Sequence, residues 1–327
     1  MSRLGMVLYH GIESGPELAE YGRIAENTGF DSLWVTERYF HEETFSLLGY
    51  LAAVTQKLKL GVGVVNPYTR NPGLLAMAAA TLDRISGGRF LLGLGRSERE
   101  VIQDKMGIPY GKAHPTMQGA VSLLNSLLSG ERVTATAGPF KLANTKLSPA
   151  PIQKTPIYLA AIGRKGLRLA GAIADGVVLN AYVPTTYVKY AVQEIRQAAT
   201  EAGRDPSAID IACMLVVRLT DDPKSMYPTL KKRLVRLLDE AFVGEILLEK
   251  GGFDPGILGP LREAYKNKDD DKAVTLVTDE MVDAFYLIGP ADKCKERIAA
   301  YQAAGVDAPL LLPRLEDYRQ VAEELRE

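Results

Sequence analysis

Cysteine and histidine are scarce in this chain of 327 residues, with two of the first and three of the second. Cys213 and Cys294 stand far apart in no metal-ligand or redox spacing. That excludes a disulfide framework or a zinc module and points to a reducing interior. Charge of one sign is also missing: 39 lysines and arginines oppose 40 acidic residues, for a net charge of -1. Such a balance gives no electrostatic footprint for nucleic acid. Long apolar runs are absent too, and the opening MSRLGMVLYHG is too short in apolar residues for a signal-peptide core or a membrane span. The expectation is a cytoplasmic protein that binds neither nucleic acid nor membrane. No internal repeat is visible.

What the chain does contain is clearest between Lys59 and Gly95. Leu58 to Val65 is largely apolar and β-branched, as a parallel strand buried on both faces is. Asn66 to Pro72 is a polar, proline-rich loop, and Gly73 to Ser86 has helical spacing before Gly87-Gly88 stops it. Phe90 to Leu94 is a second buried strand, ending in Gly93-Leu94-Gly95 and the charged run Arg96-Ser97-Glu98-Arg99-Glu100, which reads as a loop. Two parallel strands around one helix make a βαβ unit.

The same pattern recurs. Strands are expected over Leu4–Tyr9, Ser32–Thr36, Ile157–Ala161, Gly176–Leu179, Ile209–Val217 and Pro309–Leu312. Helices are expected over Pro16–Asn27 (with Leu18, Ile24 and Ala25 inward), Phe45–Thr55, Pro115–Ser129, Arg164–Ala174, Thr185–Ala202, Ala291–Ala304 and Leu315–Leu325. Glu131 to Leu147 reads as a hairpin, Pro223 to about Asn267 as largely helical, and Lys268-Asp269-Asp270-Asp271-Lys272 as a solvated turn. Eight strands alternating with helices predict a single α/β domain over residues 1–327, a closed (β/α)8 TIM barrel with insertions at its mouth after strands 4 and 7. A doubly wound open sheet is the alternative, but Gly93-Leu94-Gly95 lacks the third glycine of a dinucleotide fingerprint.

In a barrel the C-terminal strand ends share one mouth, and chemistry is placed there. Those ends are Tyr9-His10, Glu37-Arg38, Gly63-Val64-Val65-Asn66, Arg96-Ser97-Glu98, Ala161-Ile162-Gly163 and Leu179-Asn180. They hold no Ser-His-Asp arrangement, no reactive cysteine and no metal-binding cluster, so covalent or zinc-dependent hydrolysis is disfavoured. A site with so few acid-base groups suits a cofactor that performs the electronic step itself. Gly163-Arg164-Lys165 opens a helix and reads either as a phosphate seat or as a plain turn. Glu98 and Glu37 read either as proton-transfer groups or as structural carboxylates, with Arg38 a possible partner for Glu37. His10 and His41 are single histidines. Tyr9, Tyr39, Phe40 and Tyr68 could wall a ring-binding cleft.

These residues carry a resemblance. The run Leu60 to Pro72, then Thr81-Leu82-Asp83 and Gly88 to Gly95, resembles the luciferase-like superfamily of barrels. The nearest branch is the one containing methylenetetrahydromethanopterin reductase, which uses the deazaflavin coenzyme F420. Trp34-Val35-Thr36-Glu37, Ile157 to Ala161, Ala174-Asp175-Gly176 and Asp279 to Phe285 before Gly289 support it. The resemblance implies a cis peptide at Gly63-Val64 behind the ring, with Asn66 at its polar edge. It implies a phosphate seat at Ala161, Ile162, Gly163, Arg164 and Lys165, and further cofactor contacts from Glu37, Arg96 and Asn180. Glu98 becomes the first candidate for proton transfer, with Glu37 or His10 assisting, and the implied assembly is a homodimer.

Two departures bear on the substrate. Where methylenetetrahydromethanopterin reductases carry a glutamate on strand 1, this chain has Val7, which cannot protonate a pterin nitrogen. Where deazaflavin-dependent sugar-phosphate dehydrogenases carry Asp-His after strand 2, it has Glu37-Arg38, and arginine cannot act as a base. Both leave cofactor binding intact. The expectation is an F420-dependent oxidoreductase acting on a small molecule. An FMN-dependent monooxygenase of the same superfamily and a non-catalytic flavin- or deazaflavin-binding protein are the rivals.

Overall fold

The computed structural model describes residues 3–326. The chain begins with β1 (Gly5–Leu8), α1 (Gly15–Asn27), β2 (Ser32–Val35), α2 (Thr44–Val54), β3 (Lys59–Val65), α3 (Pro72–Ser86) and β4 (Phe90–Leu94). Next come α4 (Ala113–Leu128), the strands β5 (Val133–Ala137) and β6 (Phe140–Thr145), β7 (Ile157–Ala160), α5 (Arg164–Ile173), β8 (Gly176–Leu179) and α6 (Thr185–Glu201). The remainder is β9 (Asp210–Leu219), α7 (Pro223–Asp239), α8 (Val243–Gly251), α9 (Leu258–Lys266), α10 (Asp270–Thr275), α11 (Asp279–Phe285), β10 (Leu287–Gly289), α12 (Ala291–Ala303), β11 (Ala308–Leu312) and α13 (Tyr318–Arg326).

Local chemistry sets the boundaries. The Ser14 hydroxyl caps α1 by accepting from the Glu17 amide, and Pro16 sits in the first turn, where its missing N–H costs nothing. Asn71 caps α3 in the same way, and Gly87 ends that helix in the left-handed region at φ 70°.

Parallel pairing runs β1–β2–β3–β4–β7–β8–β9–β11 and returns to β1, closing the eight-stranded barrel. The strands predicted from sequence are the ones that form it. β9 is the longest: it pairs β8 through Asp210–Cys213, β11 through Ala212–Val216, and the short β10 through Val217–Leu219. Among the described residues no helix is long and apolar enough to cross a membrane. Both cysteines are buried and free.

The barrel interior is filled by the single tryptophan. Trp34 is buried on β2, edge-on to Tyr158 with ring centroids 5.3 Å apart. It fits because β3 has no side chain opposite it. A Cβ at Gly61 would lie 2.4 Å from Trp34 Cδ2, and one at Gly63 would lie 2.7 Å from Met214 Cε and 3.3 Å from Trp34 Cε3. Beneath, Asp210 receives both Arg3 (3.1 and 2.8 Å) and the Tyr158 hydroxyl (2.6 Å), tying β9 to β7 and to the start of the chain.

The structure corrects three expectations. Lys268 to Lys272 is not simply a turn: Asp269 caps α10 through the Lys272 amide, and the acidic first turn suits the helix dipole. The charged run after β4 is not all loop, since Glu100–Lys105 winds into a π-helix. The β5–β6 hairpin does not shape the mouth but packs on α3 and α4, so only residues 95–118 of the first insertion reach the cleft. β10 was not anticipated, because three residues carry too little periodicity to read.

Overpacking a rigid neighbour sets the expected effect of two glycine replacements. Gly61→Ala should cost about 1–3 kcal/mol because the buried indole cannot retreat. Gly49→Ala, on α2 with nothing within 4 Å of the new methyl, should instead stabilise by about 0.5–1 kcal/mol. Urea unfolding of both variants checks the opposite signs.

Candidate active site

The C-terminal strand ends open into one broad cleft. Every site residue predicted from sequence lines it: His10, Glu37, Gly63, Val64, Asn66, Arg96, Glu98, Ala161, Ile162, Gly163, Arg164, Lys165 and Asn180. They are brought together because parallel strands end on the same side of a closed sheet. Val64, Val65, Leu159, Met214 and Val216 make part of the lining apolar. The Gly63–Val64 peptide is cis. Val7 is buried in β1 and does not line the cleft.

One wall is held by charge. Arg70 grips Glu37 with both terminal nitrogens (2.5 and 2.9 Å) and also donates to Glu43 (2.6 Å), while its guanidinium lies 5.2 Å from the Phe45 ring centre. The Glu37 side chain is only 7% exposed. The partner of Glu37 is therefore Arg70 and not Arg38. With both oxygens committed, Glu37 fixes the loop after β3 to the end of β2 and is poorly placed to shuttle a proton. Asn66 is engaged as well. Its Oδ1 accepts from the Tyr68 and Thr69 amides at 2.9 Å each, and its Nδ2 donates to the Tyr39 hydroxyl. Burial pushes the Tyr39 phenol above its ordinary value.

Arg38 donates to the Tyr9 hydroxyl (3.1 Å) and to His10 Nε2 (2.9 Å). A ring nitrogen that accepts from arginine carries no proton, so His10 presents a neutral imidazole. Its other faces meet Tyr9 and His41, with ring centroids at 4.3 and 4.6 Å.

The opposite wall begins at α5. Gly163 is its N-cap and offers no side chain, which leaves the first-turn amides without a side-chain cap beside the cleft. The Arg164 side chain leans to Glu194 (Nε–Oε1, 2.8 Å), whereas Lys165 is exposed. Phe242, from the connection between α7 and α8, covers this turn: a Cβ at Gly163 would come within 2.3 Å of its ring. Phe242 itself takes φ 70°.

Glu98 projects from the end of β4, exposed in the cleft, and its carboxylate meets no hydrogen-bond donor among the described residues. Glu240, at the end of α7, lines the same cleft. Desolvation and then the charge of Glu98 hold its carboxyl above the usual range, against an opposing pull from Arg96. Sequence reasoning missed Glu240, Phe242 and Arg218. The first two lie in a long helical insertion with no motif, and Arg218 reads as an ordinary strand terminus. Among the described residues no group of three or more His, Cys, Asp or Glu could hold a metal.

Fold and cleft together define a (β/α)8-barrel enzyme with its working face at the strand C-termini. The chain belongs to the luciferase-like monooxygenase family, whose profile matches residues 2–308. It is 35% identical over 306 residues to the 5,10-methylenetetrahydromethanopterin reductase of Methanolobus tindarius, covering 90% of this chain and 91% of that one. The enzyme of the same name from Archaeoglobus fulgidus is 35% identical over 305 residues, with 90% of each chain covered. The solved coenzyme F420 dependent tetrahydromethanopterin reductase from Methanopyrus kandleri superposes with a TM-score of 0.86 at 27% identity, over 100% of this chain and 97% of that chain.

Burial, then the nearby Arg38 and His41, pull His10 below its ordinary value. A histidine depressed in the folded state contributes stability above its unfolded pKa of about 6.5 and loses it as pH falls through the folded value. An NMR titration should place the His10 midpoint below that of an unfolded peptide, and Arg38→Ala should raise it. A midpoint above the peptide value would show that the Arg38 contact does not form.

Proposed function

We propose that this protein is a coenzyme F420-dependent oxidoreductase acting on a small organic substrate. The observation that carries the reading is the pairing, in one cleft, of an apolar surface around Gly63–Val64 and Met214 with the uncapped amides of α5. A flat ring needs the first and a phosphate needs the second. Position 63 must be glycine because a methyl there would strike Met214, which itself lines the cleft.

Gly163, Arg164 and Lys165 would hold the phosphate through backbone amides and the exposed Lys165 ammonium, with Ala161 and Ile162 alongside. Gly63, Val64 and Asn66 would contact the ring, and Glu37 would act through Arg70 as a positioning residue for that wall. Arg96 and Asn180 line the same space. The bound deazaflavin supplies hydride transfer between its C5 carbon and the substrate. The chain's own part is to orient the two partners, exclude water and manage a proton. Glu98 is the carboxylate with a free path into the cleft. Glu240 brings a second carboxyl to the same cleft, held above the usual carboxylate range by burial and then by the charge of Glu98. Neutral His10, with Nε2 taken by Arg38, has only Nδ1 left to offer. The reading includes a homodimer.

Deazaflavin fluorescence quenching on the purified chain tests binding. Lys165→Ala should weaken it by about tenfold, or about 1.4 kcal/mol. Glu98→Gln should leave binding unchanged and slow turnover by about 10²–10⁴-fold, the usual worth of a general acid or base. Tight FMN binding with none for the deazaflavin would instead assign an FMN-dependent monooxygenase. Deazaflavin binding without turnover on enones, imines and alcohols would assign a carrier.

A further inference from the structure

Arg218 sits on β9, only 6% exposed, and yet it lines the cleft. Side chains alternate along a strand, so Met214, Val216 and Arg218 climb one face of β9 from beneath Gly63 toward the opening. Four residues of strand span about 13 Å. Arg218 therefore stands well above the apolar surface where a ring would rest.

Its hydrogen bonding is unusual for a buried arginine. Among the described residues its guanidinium makes one bond, Nη1 to the Val217 carbonyl at 2.5 Å, and no salt bridge. Arg89 shows what a structural arginine looks like in the same molecule: its guanidinium donates to Ser86, Leu58, Ala52 and Thr55 in five bonds. Arginine offers five N–H donors. Arg89 spends them on its own chain, whereas Arg218 keeps most of its own for the cleft.

The nearby arginines carry the same sign as Arg218 and do not cancel its charge. Burial works most against the Arg218 charge, and the like charges of Arg233 and Arg314 add to it. Arg233 and Arg314 both line the cleft. Arg314 is spent on Asp317 (2.7 and 3.1 Å) and Glu316 (3.3 Å), but Arg233 has no carboxylate partner among the described residues. Tyr182 holds φ 62° on the loop after β8 and packs edge-on to buried Tyr286 at 5.2 Å. A guanidinium desolvated without a counter-charge is costly to fold around unless a ligand later supplies the charge.

We propose that Arg218, assisted by Arg233, is the seat for an anionic group on the substrate, a carboxylate or a phosphate ester held remote from the reacting carbon. This rests on the oxidoreductase reading above and names the class of substrate it would take. Arginine's planar fork matches either anion in a two-bond grip. Binding energy gathered at a remote group can serve to align the reacting one.

Inorganic phosphate and succinate are the probes, titrated calorimetrically at constant ionic strength into the full chain saturated with F420, so that the α5 seat is already filled. Saturable binding of either is expected in the unaltered protein, and whichever binds tighter distinguishes phosphate ester from carboxylate. Arg218→Gln should weaken it at least tenfold, Arg218→Lys should recover part, and neither should shift F420 affinity. Arg218→Gln should also raise Tm, because it removes a buried charge that has no carboxylate partner among the described residues; a merely structural arginine would lower it. Absence of saturable anion binding to the unaltered chain would overturn the proposal, as would a Gln variant that keeps phosphate affinity within twofold or loses F420 affinity in step. If the chain binds no F420, the same titration on a cofactor-free Lys165→Ala variant still reads the Arg218 seat. The two readings therefore fail separately.

Discussion

The indole of Trp34 against the bare backbone of Gly61 and Gly63 is the contact on which this molecule depends. A closed eight-stranded ring must be filled by side chains, and overpacking costs as much as a void. Here one large ring from β2 takes the volume that β3 gives up, and Met214 of β9 completes the layer. The packing that stabilises the barrel thereby also makes the cleft surface, since Gly63 is closed against Met214 and Trp34 and begins the cis peptide that lines the cleft. Fold and site are joined at that residue.

Around this floor the cleft is divided by charge. On the β2–β3 side, arginines are consumed internally: Arg70 by Glu37 and Glu43, Arg38 by Tyr9 and His10. Arg70 is neutralised there, whereas Arg38 keeps its charge because both of its partners are neutral. Across the mouth, α5 offers amides without a side-chain cap and Lys165, and β9 and α7 offer Arg218 and Arg233, which meet no carboxylate among the described residues. Between them stand Glu98 and Glu240, exposed carboxylates of the same cleft. Such a layout separates holding, proton handling and anion recognition in space, and this lets each operate without neutralising the others.

Much of this was legible in the chain. The eight barrel strands followed from buried apolar runs bounded by glycine and proline, and the strand-end residues followed from knowing that parallel strands share a mouth. What stayed hidden had physical reasons. Arg70 lies in a loop, and nothing local says that it reaches back 33 positions to Glu37 and leaves Arg38 for Tyr9 and His10. The β5–β6 hairpin has the same alternation whether it folds over the mouth or against α3 and α4. Lys268 to Lys272 is as polar as a turn, yet an aspartate at the cap and two in the first turn are also how a helix starts.

The sequence by itself determined the barrel, the order of its elements, the mouth where chemistry gathers and the glycines that the interior requires. Those depend on residue type and spacing, which are local. Only the tertiary structure decided which charges are spent and which are spare. Arg89 and Arg218 are the same residue in sequence terms, but one is saturated by four carbonyls and a hydroxyl and the other faces a cleft. That difference arises because burial and partner choice are set by segments distant along the chain, and no window of sequence contains both members of the pair.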